Sequence, residues 1–197
     1  MRARWLPALA LLACAAGPPP ADPDWPCVQR LTPTLTAGTF WSGHDAASDW
    51  RSDPKVAGLV AAVSPRSRPA DEGAAALQAF AAAIPLERRP ATLAMVFAGL
   101  VDETNLQRAQ VIDRLHGVAR RQRELTGLAA SITAQLRSLP EDAPAAERQE
   151  VASRRTFVIR DYEEVGRTIQ YACEVPVQLE RRLGVFAQAL QGGLDGR

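Results

Sequence analysis

The sequence predicts an all-α protein built on a long antiparallel, coiled-coil-like helical hairpin. Two short N-terminal helices and an irregular N-terminal strap complete the expected architecture. Three observations predict it. Apolar residues recur at alternating intervals of four and three on both sides of residues 140–144, two prolines separate these stretches, and no alternating strand pattern of any length is present.

The first half of the hairpin is predicted over residues 90–139. Its spacing is the seam period of a coiled coil and is narrower than the apolar stripe of an ordinary surface helix. The predicted seam positions are Val111, Leu115, Val118, Gln122, Leu125, Ala129, Ile132 and Leu136.

The second half is predicted over residues 145–191, with the same alternation. Pro140 and Pro144 stop one helix and allow the next to begin, and a short connection makes neighbouring helices antiparallel. The predicted seam positions are Val151, Arg155, Val158, Tyr162, Val165, Ile169, Ala172, Pro176, Leu179, Leu183, Phe186 and Leu190.

Folding the chain about residue 142 sets the register of the two helices. Leu125 then faces Ile159, and the polar residues Gln122 and Tyr162 meet inside an otherwise apolar seam. A polar seam position fixes register at some cost in stability, so we interpret this pair as register control and not as a ligand site.

The same register predicts an irregular level near the middle of the hairpin. Arg108 occupies a seam position in a polar stretch, and Pro176 lies opposite. Because an internal proline removes a backbone hydrogen bond, we expect a kink or joint there. Residues 111–170 are predicted to project beyond it as an arm on the order of 40 Å long.

The remaining helical elements are short. Residues 51–197 are predicted to form the helical domain, with helix starts at Asp53-Pro54 and at Pro69. Residues 17–50 show little periodicity and are predicted to form the strap, which packs on the base of the hairpin. The strap contains Trp25, Trp41 and Trp50.

The N-terminus has the pattern of a secretory signal over residues 1–16, with arginines followed by an apolar stretch and small residues. Two processing routes stay open. Ala13-Cys14-Ala15 suits ordinary signal peptidase, whereas Leu11-Leu12-Ala13-Cys14 resembles a bacterial lipoprotein lipobox, with Cys14 as the lipidated first residue. The expected location is periplasmic, with a lipid anchor in the second case.

Export determines how the cysteines are interpreted. Once Cys14 is removed or acylated, Cys27 and Cys173 remain, and an even pair in an oxidising compartment predicts one disulfide. This bond would pin the strap onto the last helix.

Composition argues against several functional classes. With 23 basic and 22 acidic residues, no net field favours nucleic acid, and membrane contact is expected only through the N-terminal lipid. His44 and His116 are the only histidines, and no Cys-x-x-Cys, His-x-x-x-His or Gly-x-Ser-x-Gly motif occurs, so we expect no metal, no cofactor and no catalytic residues. We expect His44 to lie in a packing loop and His116 to be solvated.

These observations predict an exported, non-enzymatic envelope scaffold or adaptor that acts through its hairpin on another envelope protein. The alternative is a periplasmic holdase-like chaperone or a small-ligand-binding helical protein. Ile112, Leu128 and Phe157 lie off the predicted seam. They either pack against helices of the same chain or support a homo-oligomer.

Overall fold

The computed structural model of the protein describes residues 22–42 and 49–194, and within these ranges it contains helices and turns but no strand. The all-α hairpin with short N-terminal helices is therefore confirmed. The α-helices among the described residues are α1 (Pro54–Val63), α2 (Ala70–Ala82), α3 (Arg89–Ser138) and α4 (Ala145–Leu194), and single 3-10 turns occur at Ala37–Thr39 and Trp50–Ser52.

Helices α3 and α4 form the hairpin, and each is 50 residues long. Helix α3 ends at Ser138, and Leu139 is extended, with φ −62° and ψ 131°. A residue that precedes proline disfavours the helical conformation, so Pro140 accounts for this ending. Helix α4 begins directly after Pro144, as the sequence predicts.

Helix α1 begins at the predicted cap. The Asp53 Oδ1 atom accepts hydrogen bonds from the backbone N–H groups of Lys55, at 2.8 Å, and Val56, at 3.2 Å. These bonds satisfy donors that a helix N-terminus leaves unpaired. The apolar face that follows is fully buried, at Val56, Val60 and Val63.

Helix α2 runs parallel to α4 and packs closely on it. A Cβ atom on Gly73 would lie 2.7 Å from the Phe186 ring, and one on Gly193 would lie 2.7 Å from Ala81 Cβ. Larger residues at these two glycines would therefore separate the helices. Gly73 and Ala81 of α2 lie beside Phe186 and Gly193 of α4, respectively, so the two helices run in the same direction. The N-terminal end of α2 therefore points toward the tip of the hairpin.

The main core lies at the open end of the hairpin, which we call the base. Trp41 stacks on Phe97 with ring centroids 5.1 Å apart. The Trp50 indole is buried and donates a 2.9 Å hydrogen bond to Asp102 Oδ2. The strap and the short helices thus pack on the base, in agreement with the prediction. The base core also contains Leu77, Leu93, Leu100, Leu183, Phe186 and Leu190.

The seam is broader than predicted along the arm. Ile112 and Ala119 are buried, although neither is a predicted seam position. A stripe wider than the narrow coiled-coil seam accounts for this, since a globular helix buries about 100° of its surface. Ile112 therefore packs within the same chain, which is one of the two predicted alternatives, whereas Leu128 and Phe157 are exposed.

The strap extends farther toward the tip of the hairpin than predicted. Asp24 accepts a hydrogen bond from Arg123, which lies on the arm and well away from the base. Beyond Arg123, residues 124–138 extend α3 by about 22 Å, which is roughly half of the predicted projection. Helix α4 continues through the buried Pro176 as one helix, so the expected joint is not a break in the helix.

Candidate functional site

The strap is fixed to α4 by the predicted disulfide. Cys27 and Cys173 are bonded across a separation of 146 residues, with their Cα atoms 5.6 Å apart. Gln29 Nε2 donates to the Cys173 carbonyl oxygen, and Trp25 Nε1 donates to the Gln29 carbonyl oxygen at 2.6 Å. A second apolar cluster forms here around Leu115. The part of the arm nearest the base is therefore attached to the strap by a covalent bond and by apolar packing.

Gln122 and Tyr162, the predicted polar pair, have different surroundings. Tyr162 is 41% exposed, and the Gln122 amide nitrogen lies 3.3 Å from the position that a Cβ on Gly166 would occupy. Helical side chains lean toward their own N-terminus. In antiparallel helices, Gln122 therefore leans toward the base and Tyr162 toward the tip, so residues at the same level diverge.

His116 is a strap anchor, and the prediction that it is solvated is wrong. Its Nε2 lies 3.2 Å from Asp22 Oδ2, and its ring meets Trp25 edge-on with centroids 6.1 Å apart. One turn farther along, Asp24 pairs with Arg120 at 3.4 Å and with Arg123 at 2.5 Å. Desolvation alone would raise the pKa of Asp24, but hydrogen bonds from Arg120 and Arg123 outweigh it and lower that pKa.

Some predicted features lie outside the described residues. These are the signal segment, lipidation at Cys14 and the placement of His44. Within the described ranges, no helix is both long and apolar enough to cross a membrane. The same part of the chain contains no group of three or more His, Cys, Asp or Glu side chains arranged to hold a metal ion.

An open groove on the outer face of α4 is a concave feature whose lining residues the sequence did not single out as a site. It has a volume of about 440 Å³ and lies where α2 begins beside α4. Its apolar surface comes from α4, and arginines from α4 and from the segment before α2 lie around it. The lining residues are Arg66, Ala70, Val175, Gln178, Leu179, Arg181, Arg182 and Val185.

Arg182 forms one wall of this groove and holds the α1–α2 connection in place. Its Nη2 donates to the carbonyl oxygens of Val63 at 2.7 Å and Pro65 at 3.2 Å, and its guanidinium lies 4.8 Å from the Phe186 ring centroid. Burial lowers the pKa of Arg182, and the nearby charge of Arg68 lowers it further. The cation is therefore fixed by backbone oxygens and an aromatic face.

A seven-residue repeat on the outer face of α4 could have revealed this surface. We call it the outer track, and it consists of Phe157, Glu164, Tyr171, Gln178 and Val185. Tyr171 is 78% exposed and Phe157 is 64% exposed, while Gln178 and Val185 line the groove. The outer-track residues recur with the same seven-residue period as the seam residues, but they lie on the opposite side of the helix. This period was the signal available in the sequence.

Comparison of the chain with models of known protein families, with curated proteins and with solved structures returns no match in any of the three.

Proposed function

We propose that this protein is an exported, non-enzymatic scaffold or adaptor that binds another envelope protein through the outer face of its arm. One observation carries the proposal. Phe157 and Tyr171, the two aromatic residues of the outer track, are both largely exposed. Leu128 of α3, at nearly the same level as Phe157, is exposed as well.

Rigid aromatic side chains suit a binding surface because they present a large contact area with little conformational entropy to lose. The arm can hold such a surface in place because α3 and α4 are continuous helices. The disulfide also fixes the strap to α4 in the half of the hairpin nearer the base. A disulfide also fits an oxidising compartment, which supports export.

Site-specific photocrosslinking tests the proposal in cells that express the protein naturally. A photoreactive phenylalanine analogue at position 157 should give discrete adducts with a second protein on irradiation. The matched control carries the analogue at Leu106, which is 53% exposed on α3 near the base. Position 106 should give no such adduct, and Tyr171→Asp should reduce the yield at position 157.

Three results would contradict this adaptor function. One is the absence of any adduct at position 157, and another is the same adduct pattern at positions 106 and 157. The third is an adduct of twice the chain mass and nothing else, which would assign the arm to self-association.

A further inference from the structure

The apolar lining of the groove beside α2 comes mainly from α4. Val175 and Val185 lie on the outer face of this helix, and Leu179, which is buried at 5% exposure, lies between them in the sequence. Val185 is 39% exposed beside the start of α2. The ten residues from Val175 to Val185 span about 15 Å along α4.

The polar side of the groove is positively charged and not neutralised within the described chain. Arg66, Arg181 and Arg182 line it, and none of them has a carboxylate within 4.0 Å among residues 22–42 and 49–194. Asp71 and Glu72, in the first turn of α2, form no ion pair with these arginines at that distance. The Nε atom of Arg182 is buried and has no hydrogen-bond partner.

We propose that this groove binds an anionic amphiphile, a long unbranched alkyl carboxylate of the fatty-acid class. The alkyl chain lies along Val175, Leu179 and Val185, and the carboxylate accepts hydrogen bonds from Arg181 and Arg66. Guanidinium groups suit this role because they match a carboxylate with two parallel N–H donors. Both arginines are exposed and can turn toward a ligand.

The size of the groove favours a small molecule over a peptide helix. Its volume of about 440 Å³ falls within the range of about 300–1,000 Å³ that is typical of small-molecule sites. The α2 helix already occupies the α4 face beyond Ala70, so a docked helix could not continue in that direction. The lining contains arginines and apolar residues. The arginines match the charged head of such a ligand, and the apolar residues match its tail.

Isothermal titration calorimetry of the disulfide-bonded protein with sodium decanoate tests the proposal. We expect saturable binding with one ligand per chain. Decyltrimethylammonium, with an alkyl tail one carbon longer and the opposite charge, should bind at least tenfold more weakly. Octanoate should bind more weakly than decanoate by a factor of about two to four for each missing methylene, the upper value corresponding to full burial.

Variants assign the binding to this groove. Arg66→Gln combined with Arg181→Gln should weaken decanoate binding at least tenfold, and Val185→Asp should abolish it. Arg160→Gln is the matched control, since it removes an exposed arginine from the same helix on the arm. It should leave the affinity unchanged. Circular dichroism checks that each variant remains folded, and all four substituted positions are solvent-exposed, so folding should persist.

The outcomes separate the alternatives. Equal affinity for decanoate and decyltrimethylammonium would overturn the assignment to an anion, and binding that survives Val185→Asp would overturn the assignment to this groove. Failure of decanoate to bind at 1 mM would also overturn the proposal. If an acidic amphipathic peptide then bound with the same dependence on Arg66 and Arg181, the groove would be a protein-docking site.

Discussion

The guanidinium of Arg108 donates a 2.9 Å hydrogen bond to the carbonyl oxygen of Pro176. It also donates to the Thr32 carbonyl oxygen at 2.7 Å, and its side chain approaches Glu180 at 3.9 Å. Arg108 is only 3% exposed. Burial lowers its pKa, which the negative charge of Glu180 opposes. One buried cation therefore joins α3, α4 and the strap at the level of the internal proline.

Replacing this cation should destabilise the fold. Arg108→Ala removes a donor from the buried Pro176 carbonyl oxygen and from the part-buried Thr32 carbonyl oxygen and opens a cavity, so we expect the free energy of unfolding to fall by about 3 kcal/mol. Urea denaturation followed by circular dichroism measures this. The control is Arg114→Ala, which removes an exposed arginine from the same helix and should change stability by less than about 0.5 kcal/mol. Equal effects would show that the Arg108 contacts contribute nothing.

The disulfide should stabilise the protein mainly by restricting the unfolded chain. For a separation of 146 residues, the chain-entropy relation gives an upper value of about 5 kcal/mol at 25 °C. We therefore expect reduction, or replacement of both Cys27 and Cys173 by serine, to lower the urea midpoint markedly. The double-serine variant is its own control, because a reductant should not change its midpoint. An unreduced protein that unfolds at the same midpoint as this variant would contradict the prediction.

The elements that could be predicted from the sequence depend on local or periodic signals. The spacing of apolar residues identifies α3 and α4, and Pro140 and Pro144 place the turn between them. Asp53 marks the start of α1. The disulfide followed from counting cysteines under an assumption of export, and not from any knowledge of how the strap runs.

The features that could not be predicted depend on where distant segments meet. The contact between Asp22 and His116 joins residues almost a hundred positions apart, so no local period reports it. The groove exists only because α2 packs on one part of the α4 outer face and leaves the next part open. The approach of Gln122 to Gly166 could not be predicted either, because the spacing of positions ignores the direction in which side chains lean.

Acid should weaken the attachment of the strap through Asp24. Because the pKa of Asp24 is lowered in the folded protein, the folded state binds fewer protons than the unfolded state near that pKa. The stabilising contribution is present above the ordinary aspartate pKa of about 3.9 and is lost as the pH falls through the lower, folded-state value. Urea midpoints measured between pH 6 and pH 2.5 should fall less steeply for Asp24→Asn than for the unmodified protein.

The matched control for this acid effect is Asp113→Asn, which removes an exposed carboxylate elsewhere on α3. Its midpoints should follow those of the unmodified protein across the same range. If Asp24→Asn and Asp113→Asn gave the same pH dependence, the pairing of Asp24 with Arg120 and Arg123 would not contribute to acid stability.

Two glycines within α3 should respond to alanine in opposite directions. A Cβ on Gly99 would lie 2.8 Å from Val60 Cγ2 and 2.9 Å from Trp50 Cδ2, both in the base core. Overfilling a packed core costs about 1–3 kcal/mol, so Gly99→Ala should lower the free energy of unfolding by that amount. Gly127 has no atom within 4 Å of the same position. Gly127→Ala should therefore stabilise the protein by up to about 1 kcal/mol through helix propensity alone.

Thermal and urea denaturation of both glycine variants measure this difference, and each variant is the control for the other, since both make the same chemical change in the same helix. A stabilised Gly99→Ala protein would mean that Trp50 does not approach α3 as closely as its hydrogen bond to Asp102 implies. A destabilised Gly127→Ala protein would mean that the upper arm is covered at that position by another part of the chain, since only a contact there could oppose the gain in helix propensity.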